Sequence, residues 1–262
     1  MTRPERLLFS AIIPVYNGEK YLAAAIQSIL DLQYEPFELI VVDDGSTDGT
    51  GEIARSYGSR LRYLRNCNGG PATARNFGLR HAHGDAVGFL DVDDLWTENI
   101  ITGALKCLLT RPDLDIVQGQ IQEIKPSAAN PIGTAIEYFE EPYPYINIGS
   151  AVYRTNVFAR IGGFDESLRS CEDFDWFWRA FDARISKLRI DDVTLLYRIH
   201  PAGMTYGQTL KEIHVAKVYK KAIARRQCEA TSPARGFPTL LEYFGSRTHL
   251  IPTKVRPMTS GG

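Results

Sequence analysis

The chain has 262 residues, of which 44% are hydrophobic, and its formal net charge at pH 7 is −1. This length and apolar content suffice for one α/β domain with a sizeable core, and the charge gives no basic field of the kind that attracts nucleic acid. No apolar run reaches the roughly 20 residues of a membrane-spanning helix, and no secretory signal pattern stands at the N-terminus. Four widely spaced cysteines indicate reduced thiols, so we expect a cytoplasmic protein.

The first half of the chain alternates apolar strands with amphipathic helices. Strands are predicted at residues 7–15, 37–42, 61–64 and 86–90, and helices at 20–32, after the turn at 45–48, at 72–81 and at 98–109. Thr97 is placed to cap the last of these helices. Strands that alternate with helices of about a dozen residues favour a mostly parallel central sheet with helices on both faces.

The second half is less regular. Segment 126–144 carries four prolines and predicts a long loop. Further elements are predicted as strands at 146–153 and 193–199 and as helices at 155–161, 172–183 and 210–227. The last helix has a basic side, which favours a solvated face over contact with a membrane surface. Residues 231–262 are expected to form an extended or poorly ordered tail.

An acidic group follows the strand at 86–90. Asp91 and Asp93 lie two residues apart, so in extended chain their carboxylates leave the same face. Two oxygen ligands at the end of a strand suit Mg²⁺ or Mn²⁺ that carries the phosphates of a nucleotide. A solvated acidic turn is the alternative, because Asp favours turns.

Two more polar groups follow strands of the same sheet, at residues 14–19 and 43–48. Ligands of parallel α/β sheets bind outside the carboxyl ends of the strands, so the three groups are expected at one edge. The sequence lacks both the Gly-x-Gly-x-x-Gly fingerprint after its first strand and the phosphate loop that ends in Gly-Lys-Ser/Thr. Both usual nucleotide folds are therefore disfavoured.

Seven motifs in order resemble those of the family 2 glycosyltransferases of the GT-A fold. They span roughly residues 8 to 205 and are Ile12-Ile13-Pro14-Val15-Tyr16-Asn17, Val41 to Asp48, Asn68 to Asn76, Phe89 to Asp94, Gly162-Gly163-Phe164-Asp165, Glu172-Asp173 and Arg198-Ile199-His200-Pro201. One short motif is weak support, whereas seven in order with a sensible strand and helix context are strong.

The resemblance implies an α/β nucleotide-diphospho-sugar transferase fold and a division of the chain. Residues 1–230 would form a single catalytic domain. Within it, 7–95 would be the nucleotide-binding half, 96–205 the acceptor half and 206–230 a C-terminal helix.

The resemblance also implies a set of donor-binding residues. Asp44 would hydrogen-bond the nucleotide base, in a pocket shaped by Pro14, Tyr16 and Glu19. The structural alternative for the acidic group at 43–46 is a turn and helix cap. Base binding and capping can both hold if one of the two carboxylates binds the base and the other forms the cap. Arg75, on the helix at 72–81, would meet the diphosphate, with an exposed helix cation as the alternative.

A divalent metal, Mn²⁺ or Mg²⁺, is expected on the same grounds. Asp93 would hold it, Asp91 would contact the ribose or reach the metal through water, and His200 resembles a residue that reaches the metal or the diphosphate in some relatives. By spacing alone, a single His before Pro201 is more often an ordinary loop residue.

Asp173 is the candidate general base. A carboxylate within hydrogen-bond reach can take the proton from an acceptor hydroxyl as the hydroxyl attacks the anomeric carbon. The stretch Ser170 to Asp173 also fits a capping box at a helix start, which is the structural alternative. Glu172 and Asp175 are fallback bases. Trp176 and Trp178 fit a core position better than a sugar platform.

The expected function is inverting transfer of a sugar from a nucleoside-diphosphate sugar, a UDP-sugar by family frequency, to an acceptor hydroxyl. The acceptor is left open among a glycan, a lipid-linked molecule and a small molecule. Peripheral contact with the inner membrane face is also left open. Segment 126–144 would also suit a lid over the donor. The rivals are a nucleotidyltransferase, disfavoured because an early Gly-rich loop with a basic residue is missing, and a non-catalytic sugar-nucleotide-binding module.

Overall fold

Apolar stretches of the chain build one central sheet. The computed structural model describes residues 6–124, 138, 141–201, 215–228 and 243–244. The strands within these residues are β1 Phe9–Val15, β2 Phe37–Asp43, β3 Arg62–Arg65, β4 Ala86–Phe89, β5 Leu95–Trp96, β6 Ile116–Ile124, β7 Ala151–Arg154 and β8 Lys187–Arg198. Their order across the sheet is β3-β2-β1-β4-β7-β6-β8-β5.

Helices connect most of the strands and cover both faces of the sheet. They are α1 Leu22–Leu30, α2 Thr50–Ser56, α3 Pro71–His81, α4 Lys106–Thr110, α5 Asn156–Ile161, α6 Glu172–Asp182 and α7 Val215–Cys228. A π-helical segment, Ile100–Leu105, leads directly into α4, so the helix predicted at 98–109 is present with irregular first turns.

The first four strands place one set of strand ends together. β1 pairs in parallel with β2 and β4, and β2 pairs in parallel with β3. Beyond β4 the sheet is mixed, because β7 runs antiparallel to β4 and β6 while β8 runs parallel to β6. The carboxyl ends of β1, β2 and β4 therefore share one edge, as the sequence predicted.

Alternation along β1 explains how both faces are filled. Phe9, Ala11 and Ile13 belong to one buried cluster, which includes apolar residues of α1. Ile12 belongs to a second cluster on the other face, together with Trp176 of α6. Because successive side chains of a strand leave opposite faces, a strand buried on both sides needs a continuous apolar run. The predicted α/β class with helices on both faces is confirmed.

The longest strand missed by the sequence reading is β6. Its sequence, Ile-Val-Gln-Gly-Gln-Ile-Gln-Glu-Ile, interleaves amides with apolar residues, yet Gln118 and Gln122 are buried. The Gln118 amide donates to the Tyr145 carbonyl at 2.8 Å and to Ser150 Oγ at 2.9 Å. A buried amide is tolerated when its hydrogen bonds are made, and local polarity hides this from a pattern search.

Other element boundaries also differ from the sequence reading. β8 begins at Lys187, whereas the sequence pattern predicted a start at 193. The pattern missed the first half of this strand because that half is charged and lies near the rim of the sheet. The strand predicted at 146–153 forms only from Ala151, after one turn at Ile148–Ser150. Within the loop predicted at 126–144, Tyr143 pairs with Ile121 of β6, while residues 125–137 and 139–140 lie outside the described residues.

The basic side of α7 faces the protein itself. Lys217 Nζ donates to the Ser167 carbonyl at 2.8 Å, Lys221 pairs with Asp165, and Arg225 Nη1 lies 3.0 Å from Asp175 Oδ1. The expected solvated face holds for Lys217, which is exposed, but is wrong for Lys221 and Arg225, which are partly buried in ion pairs. In the described part of the chain, no helix has the length and apolar character that crossing a bilayer demands.

Two residues of the predicted tail are buried. Tyr243 and Phe244 pack on the aromatic side of α6, with ring centroids 5.3 Å from Phe181 to Tyr243 and 6.1 Å from Phe174 to Phe244. The tail thus contributes to the core at this point. The rest of 229–262 lies outside the described residues, and the division into segments 1–230 and 231–262 stays a prediction.

Asp175 is a structural carboxylate, which gives a stability test. It is fully buried and bonds Arg179 Nε at 2.8 Å in addition to Arg225. We expect Asp175→Ala to lower the free energy of unfolding by about 3–5 kcal/mol, because it leaves two guanidinium groups without their shared acceptor. Urea unfolding followed by circular dichroism measures the change.

The matched control is Asp113→Ala, which breaks the exposed pair with Arg111. Exposed pairs contribute little, so this variant should unfold like the wild type. Equal stability of the two variants would contradict a structural role for Asp175.

Candidate active site

The loops after β1 and β2 are joined by short hydrogen bonds. The Asn17 amide donates to Ser46 Oγ at 2.9 Å, and the Thr47 amide donates to Asn17 Oδ1 at 2.8 Å. The Gly18 amide donates to Thr50 Oγ1 at 2.9 Å. Residues 14–19 and 43–48 therefore form one surface at the strand ends, as the sequence predicted.

The two neighbouring carboxylates of the second group have different partners. Asp43 is fully buried and accepts from the Ser46 amide at 2.7 Å and from the Tyr63 hydroxyl. Burial would raise the pKa of Asp43, but these hydrogen bonds and Arg65 bring it below its ordinary value. Asp43 thus fixes the turn after β2.

Asp44 holds the turn before α3. It accepts from the amides of Gly69 at 2.9 Å and Gly70 at 2.7 Å, and from Asn66 Nδ2 at 3.0 Å. Gly70 has φ +93°, a left-handed conformation that favours glycine. Asp44 is only 3% exposed. At the predicted base pocket, its carboxylate therefore already accepts three hydrogen bonds from its own chain.

The remaining residues predicted to shape the base pocket lie at the same edge. Pro14, the last residue but one of β1, is buried, whereas Tyr16 is 49% exposed. Glu19 is exposed on one side and accepts from the Gly49 amide at 2.7 Å through Oε2. Tyr16 therefore offers a free ring face to a ligand, while Glu19 also orders the start of α2.

Arg75 joins two parts of the site. Its side chain is buried, with Nη2 2.5 Å from Asp91 Oδ1 after β4 and Nη1 bonded to Glu172 at the start of α6. The ring of Phe164 lies beneath the guanidinium, 5.7 Å from Cζ to centroid. Although burial opposes the charge, the two carboxylates raise the pKa of Arg75 above its ordinary value. Its role toward a diphosphate stays a prediction.

Asn76, the residue after Arg75, fixes the Gly162–Asp165 motif. Its Nδ2 donates to the Phe164 carbonyl and its Oδ1 accepts from the Phe164 amide, both at 2.8 Å. A Cβ on Gly163 would stand 2.3 Å from Asn76 Oδ1, so only glycine fits this approach. Two adjacent residues of α3 thus position two motifs of the second half.

The acidic group after β4 contains two accessible carboxylates and one buried one. The side chains of Asp91 and Asp93 are each about one-third exposed. Asp94 is buried and accepts from the Arg198 amide at 3.0 Å. Burial, together with Asp93 and Asp91, raises the pKa of Asp94 well above its ordinary value. Asp94 is therefore the residue of this group that anchors the end of β8.

The structure brings Asp93 and His200 together. His200 Nε2 lies 2.9 Å from Asp93 Oδ2, and the imidazole packs on Tyr21 with centroids 5.0 Å apart. His200 is 7% exposed, and its buried Nδ1 has no hydrogen-bond partner within the residues described. The two side chains assigned to the metal therefore lie in contact, and their metal-binding role stays a prediction.

This pair fits a divalent cation. Adjacent ligands of an octahedral ion with bonds of about 2.1 Å lie about 3.0 Å apart, close to the 2.9 Å between the two donor atoms. Three or more His, Cys, Asp or Glu side chains grouped as a complete metal cage are not found among the described residues. The pair suits an ion that completes its shell with phosphate oxygens and water, as Mg²⁺ usually does.

Asp173 lies at the N-terminal end of α6, beside Glu172. Its Oδ1 accepts from the Phe174 amide at 2.7 Å. Burial and the neighbouring Glu172 raise the pKa of Asp173 to about 7, against the opposing charge of Arg75. The helix is capped by Cys171, in a left-handed conformation and without a side-chain cap bond, rather than by Ser170. A carboxyl group with this pKa is suited to proton transfer near neutral pH.

The fallback residues have other partners. Glu172 is held by Arg75, and Asp175 is buried between Arg179 and Arg225. Trp176 and Trp178 belong to the core, as the sequence favoured.

Sequence reasoning missed three residues that support the site. Asn76 lies inside a quoted motif, and Arg198 precedes the predicted His200, so motif position could have indicated both. The Arg198 guanidinium donates to the Asp93 carbonyl at 2.6 Å. Tyr21 falls within the helix predicted at 20–32, and no local signal shows that it packs against His200.

Two glycosyltransferases match this chain over different shares of its length. An uncharacterized glycosyltransferase of Rickettsia typhi is 33% identical over 211 residues, which cover 76% of this chain and 66% of that protein. The glycosyltransferase GlyG of Streptococcus pneumoniae is 38% identical over 127 residues, covering 47% of this chain and 42% of that protein. The chain thus spans two-thirds or less of the length of these two relatives.

Solved structures share the fold. The S. aureus protein TarS, residues 1–349 in complex with UDP-GlcNAc, superimposes with a TM-score of 0.66 at 25% identity over 86% of this chain and 68% of that chain. A mannosyltransferase of Pyrobaculum calidifontis, solved with GDP-mannose and Mn²⁺, gives a TM-score of 0.65 at 20% identity over 87% of this chain and 66% of that chain. The predicted GT-A nucleotide-diphospho-sugar transferase fold is confirmed.

The profile of the family described as glycosyl transferase family 2 matches residues 10–170, which include the β1, β2 and β4 edge and the Arg75–Asp91 ion pair. The resemblance drawn from the sequence is confirmed, and this chain belongs to glycosyl transferase family 2.

Proposed function

We propose that the chain transfers a sugar from a UDP-sugar to an acceptor hydroxyl with inversion at the anomeric carbon. The observation that carries the proposal is the Arg75 bridge, which ties Asp91 at the end of β4 to Glu172, the residue beside Asp173. A candidate leaving-group site and a candidate base thereby belong to one rigid arrangement. TarS, whose complex contains UDP-GlcNAc, supports a uridine donor.

The donor would bind across the ends of β1 and β2. Tyr16 offers an exposed ring for the base, while Pro14 and Glu19 bound the same pocket. Asp44 orders the turn at Gly69–Gly70 and would contribute its remaining acceptor capacity to the base. A preformed pocket binds more tightly because less conformational freedom is lost.

The diphosphate would lie beside Asp91 and the Asp93–His200 pair. When bound there, Mn²⁺ or Mg²⁺ would supply positive charge that stabilises the departing diphosphate. Arg75 keeps Asp91 in place through a buried charged hydrogen bond, and Arg198 fixes the backbone at Asp93. The chain's contribution at this end of the site is alignment and charge balance.

Asp173 would act as the general base in a single displacement. Its deprotonated carboxylate accepts the proton of the acceptor hydroxyl as the oxygen attacks the anomeric carbon from the face opposite the diphosphate. The raised pKa makes Asp173 a stronger proton acceptor than an ordinary Asp. The family match and the glycosyltransferase relatives support sugar transfer, and neither favours nucleotidyl transfer.

Removal of Asp93 tests the leaving-group site. In the wild type, UDP with Mn²⁺ should raise the melting temperature, because a ligand that binds the folded state stabilises it by mass action. At about 100 times the Kd the gain is about 2.7 kcal/mol, and Asp93→Ala should lose most of it. Differential scanning fluorimetry measures the shift.

Asp191→Ala, an exposed acid on β8, serves as the matched control and should respond like the wild type. A full UDP–Mn²⁺ response in Asp93→Ala would exclude Asp93 from the site. A wild type that responds only to a nucleoside triphosphate would instead favour nucleotidyl transfer.

Asp173→Asn separates catalysis from donor binding. The amide keeps the shape of the side chain and cannot accept the proton, so turnover should fall by about 10²-fold or more. The UDP–Mn²⁺ melting shift should persist. UDP release with a responsive acceptor measures turnover, with Asp191→Asn as control. Wild-type turnover in Asp173→Asn would remove the residue as base, and donor binding without turnover in the wild type would favour a binding module.

The pH dependence provides a second test of Asp173. A base works only when deprotonated, so kcat/KM should fall as the pH drops through the pKa of about 7 and level off above it. The profile is measured with the wild type at a fixed, saturating Mn²⁺ concentration. A level kcat/KM extending well below pH 7 would contradict the assignment.

A further inference from the structure

Two residues late in the chain pack against the helix that carries the candidate base. Tyr243 and Phe244 are 2% and 3% exposed. The Phe244 ring stacks on Phe174 with centroids 6.1 Å apart and lies 6.0 Å from Trp178, and both of these residues belong to α6. We name Tyr243 and Phe244 the C-terminal clamp.

Lys187, the first residue of β8, anchors the C-terminal clamp to the sheet. Its Nζ donates to the Tyr243 carbonyl at 2.8 Å. The same nitrogen lies over two aromatic rings, 4.7 Å from the centroid of Phe177 on α6 and 5.0 Å from that of Tyr243. An ammonium group over an aromatic face is attracted by the negative charge of that face. The clamp is therefore tied to the sheet as well as to α6.

Phe174 contacts two parts of the chain besides its own helix. Phe244 of the clamp stacks on its ring, and Tyr219 of α7 lies against the same ring with centroids 5.9 Å apart. The ion pair of Arg225 with Asp175 fastens α7 to α6. Because side chains in a close-packed cluster have little freedom, these contacts fix Phe174.

The candidate base thus lies between two residues that are held from outside the helix. Arg75 bonds Glu172 on one side, and the clamp holds Phe174 on the other. The Phe174 amide donates to Asp173 Oδ1 at 2.7 Å. The first four amides of a helix have no partner within it, so the first turn depends on contacts of this kind.

We propose that the C-terminal clamp positions the general base: Phe244 fixes Phe174, and the Phe174 amide in turn holds the Asp173 carboxylate in its reactive orientation. The inference rests on the proposed function, and it adds two positioning residues that lie beyond the family profile at 10–170.

The surroundings of Asp173 make its position measurable. Burial and the neighbouring Glu172 raise the pKa of Asp173 to about 7, while Arg75 opposes this change. In the described part of the chain, other titratable groups that interact with its charge are Asp91, Cys171, Tyr145 and Tyr153. Since burial is the largest cause, opening the first turn of α6 to water should lower this pKa toward the ordinary Asp value of about 3.9.

NMR of the Phe174 amide tests the inference, because this amide bonds the Asp173 carboxylate. Asp173-Phe174 is the only Asp-Phe pair in the sequence. Labelling Asp carbonyl carbons with ¹³C and Phe nitrogens with ¹⁵N therefore gives a single correlation that belongs to this amide. We expect the wild-type signal to titrate with a midpoint of about pH 7.

Phe244→Ala should lower this midpoint by about one pH unit or more, because loss of the ring frees Phe174 and admits water to the first turn of α6. Phe244→Met should keep the wild-type midpoint, since methionine fills the same space and makes favourable contacts with aromatic rings. Phe244→Val repeats the test with a smaller loss of volume, in case the alanine variant is unstable, and should move the midpoint in the same direction.

Phe37→Ala is the matched control. Phe37 begins β2, at the end of the strand opposite the site, and its ring contacts Phe9 with centroids 6.4 Å apart. Its removal perturbs the core and should leave the Phe174 midpoint unchanged. Asp173→Asn should abolish the transition, because the amide does not titrate. The UDP–Mn²⁺ melting shift reports for every variant whether the donor site is intact.

The outcomes separate this inference from the proposed function. If the wild-type amide has no transition near pH 7, or keeps one in Asp173→Asn, the proposed acid–base behaviour of Asp173 fails and this inference fails with it. If the wild type titrates as expected but Phe244→Ala and Phe244→Val keep its midpoint, the inference alone is overturned. It is also overturned if Phe37→Ala moves the midpoint as far as Phe244→Ala does.

Discussion

The buried guanidinium of Arg75 is the interaction on which the site depends. It bonds Asp91 at the end of β4 and Glu172 at the start of α6, and thereby joins the two halves of the fold. A buried charge is costly unless it is paired, and removal of one partner leaves the others uncompensated. The paired charges of Arg75, Asp91 and Glu172 therefore favour a single arrangement of the end of β4 and the start of α6. This arrangement sets the position of Asp173.

The same constraint explains why distant motifs accompany one another in the sequence. Arg75 and Asn76 are adjacent on α3, yet one binds the carboxylates and the other binds the backbone of Phe164. Asp44 in turn holds the Gly69–Gly70 turn from which α3 starts. Successive hydrogen bonds and ion pairs thus link the end of β2 to α3 and α3 to the start of α6. They order the site before any donor binds and reduce the conformational cost of binding.

Much of the fold follows from patterns that act locally. The apolar runs of β1, β2 and β4 predict buried parallel strands, and the acidic groups after them predict the functional edge. β6 could not be predicted in this way, because its buried Gln118 is satisfied by Tyr145 and Ser150 from a distant segment. Family resemblance indicated Asp93 and His200 separately, whereas their contact could not be predicted, since residues this far apart in sequence meet only through the sheet.

Donor diphosphate and metal are proposed to lie at Asp93 and His200, within a site that Arg75 connects to Asp173 through Asp91 and Glu172. The most direct measurement is anomalous diffraction from crystals grown with UDP and Mn²⁺, recorded at the manganese edge. A single strong peak bonded to Asp93 and His200 is expected, with the diphosphate beside Asp91 and the uracil near Tyr16. A manganese peak away from both ligands, or UDP bound at another edge of the sheet, would contradict it.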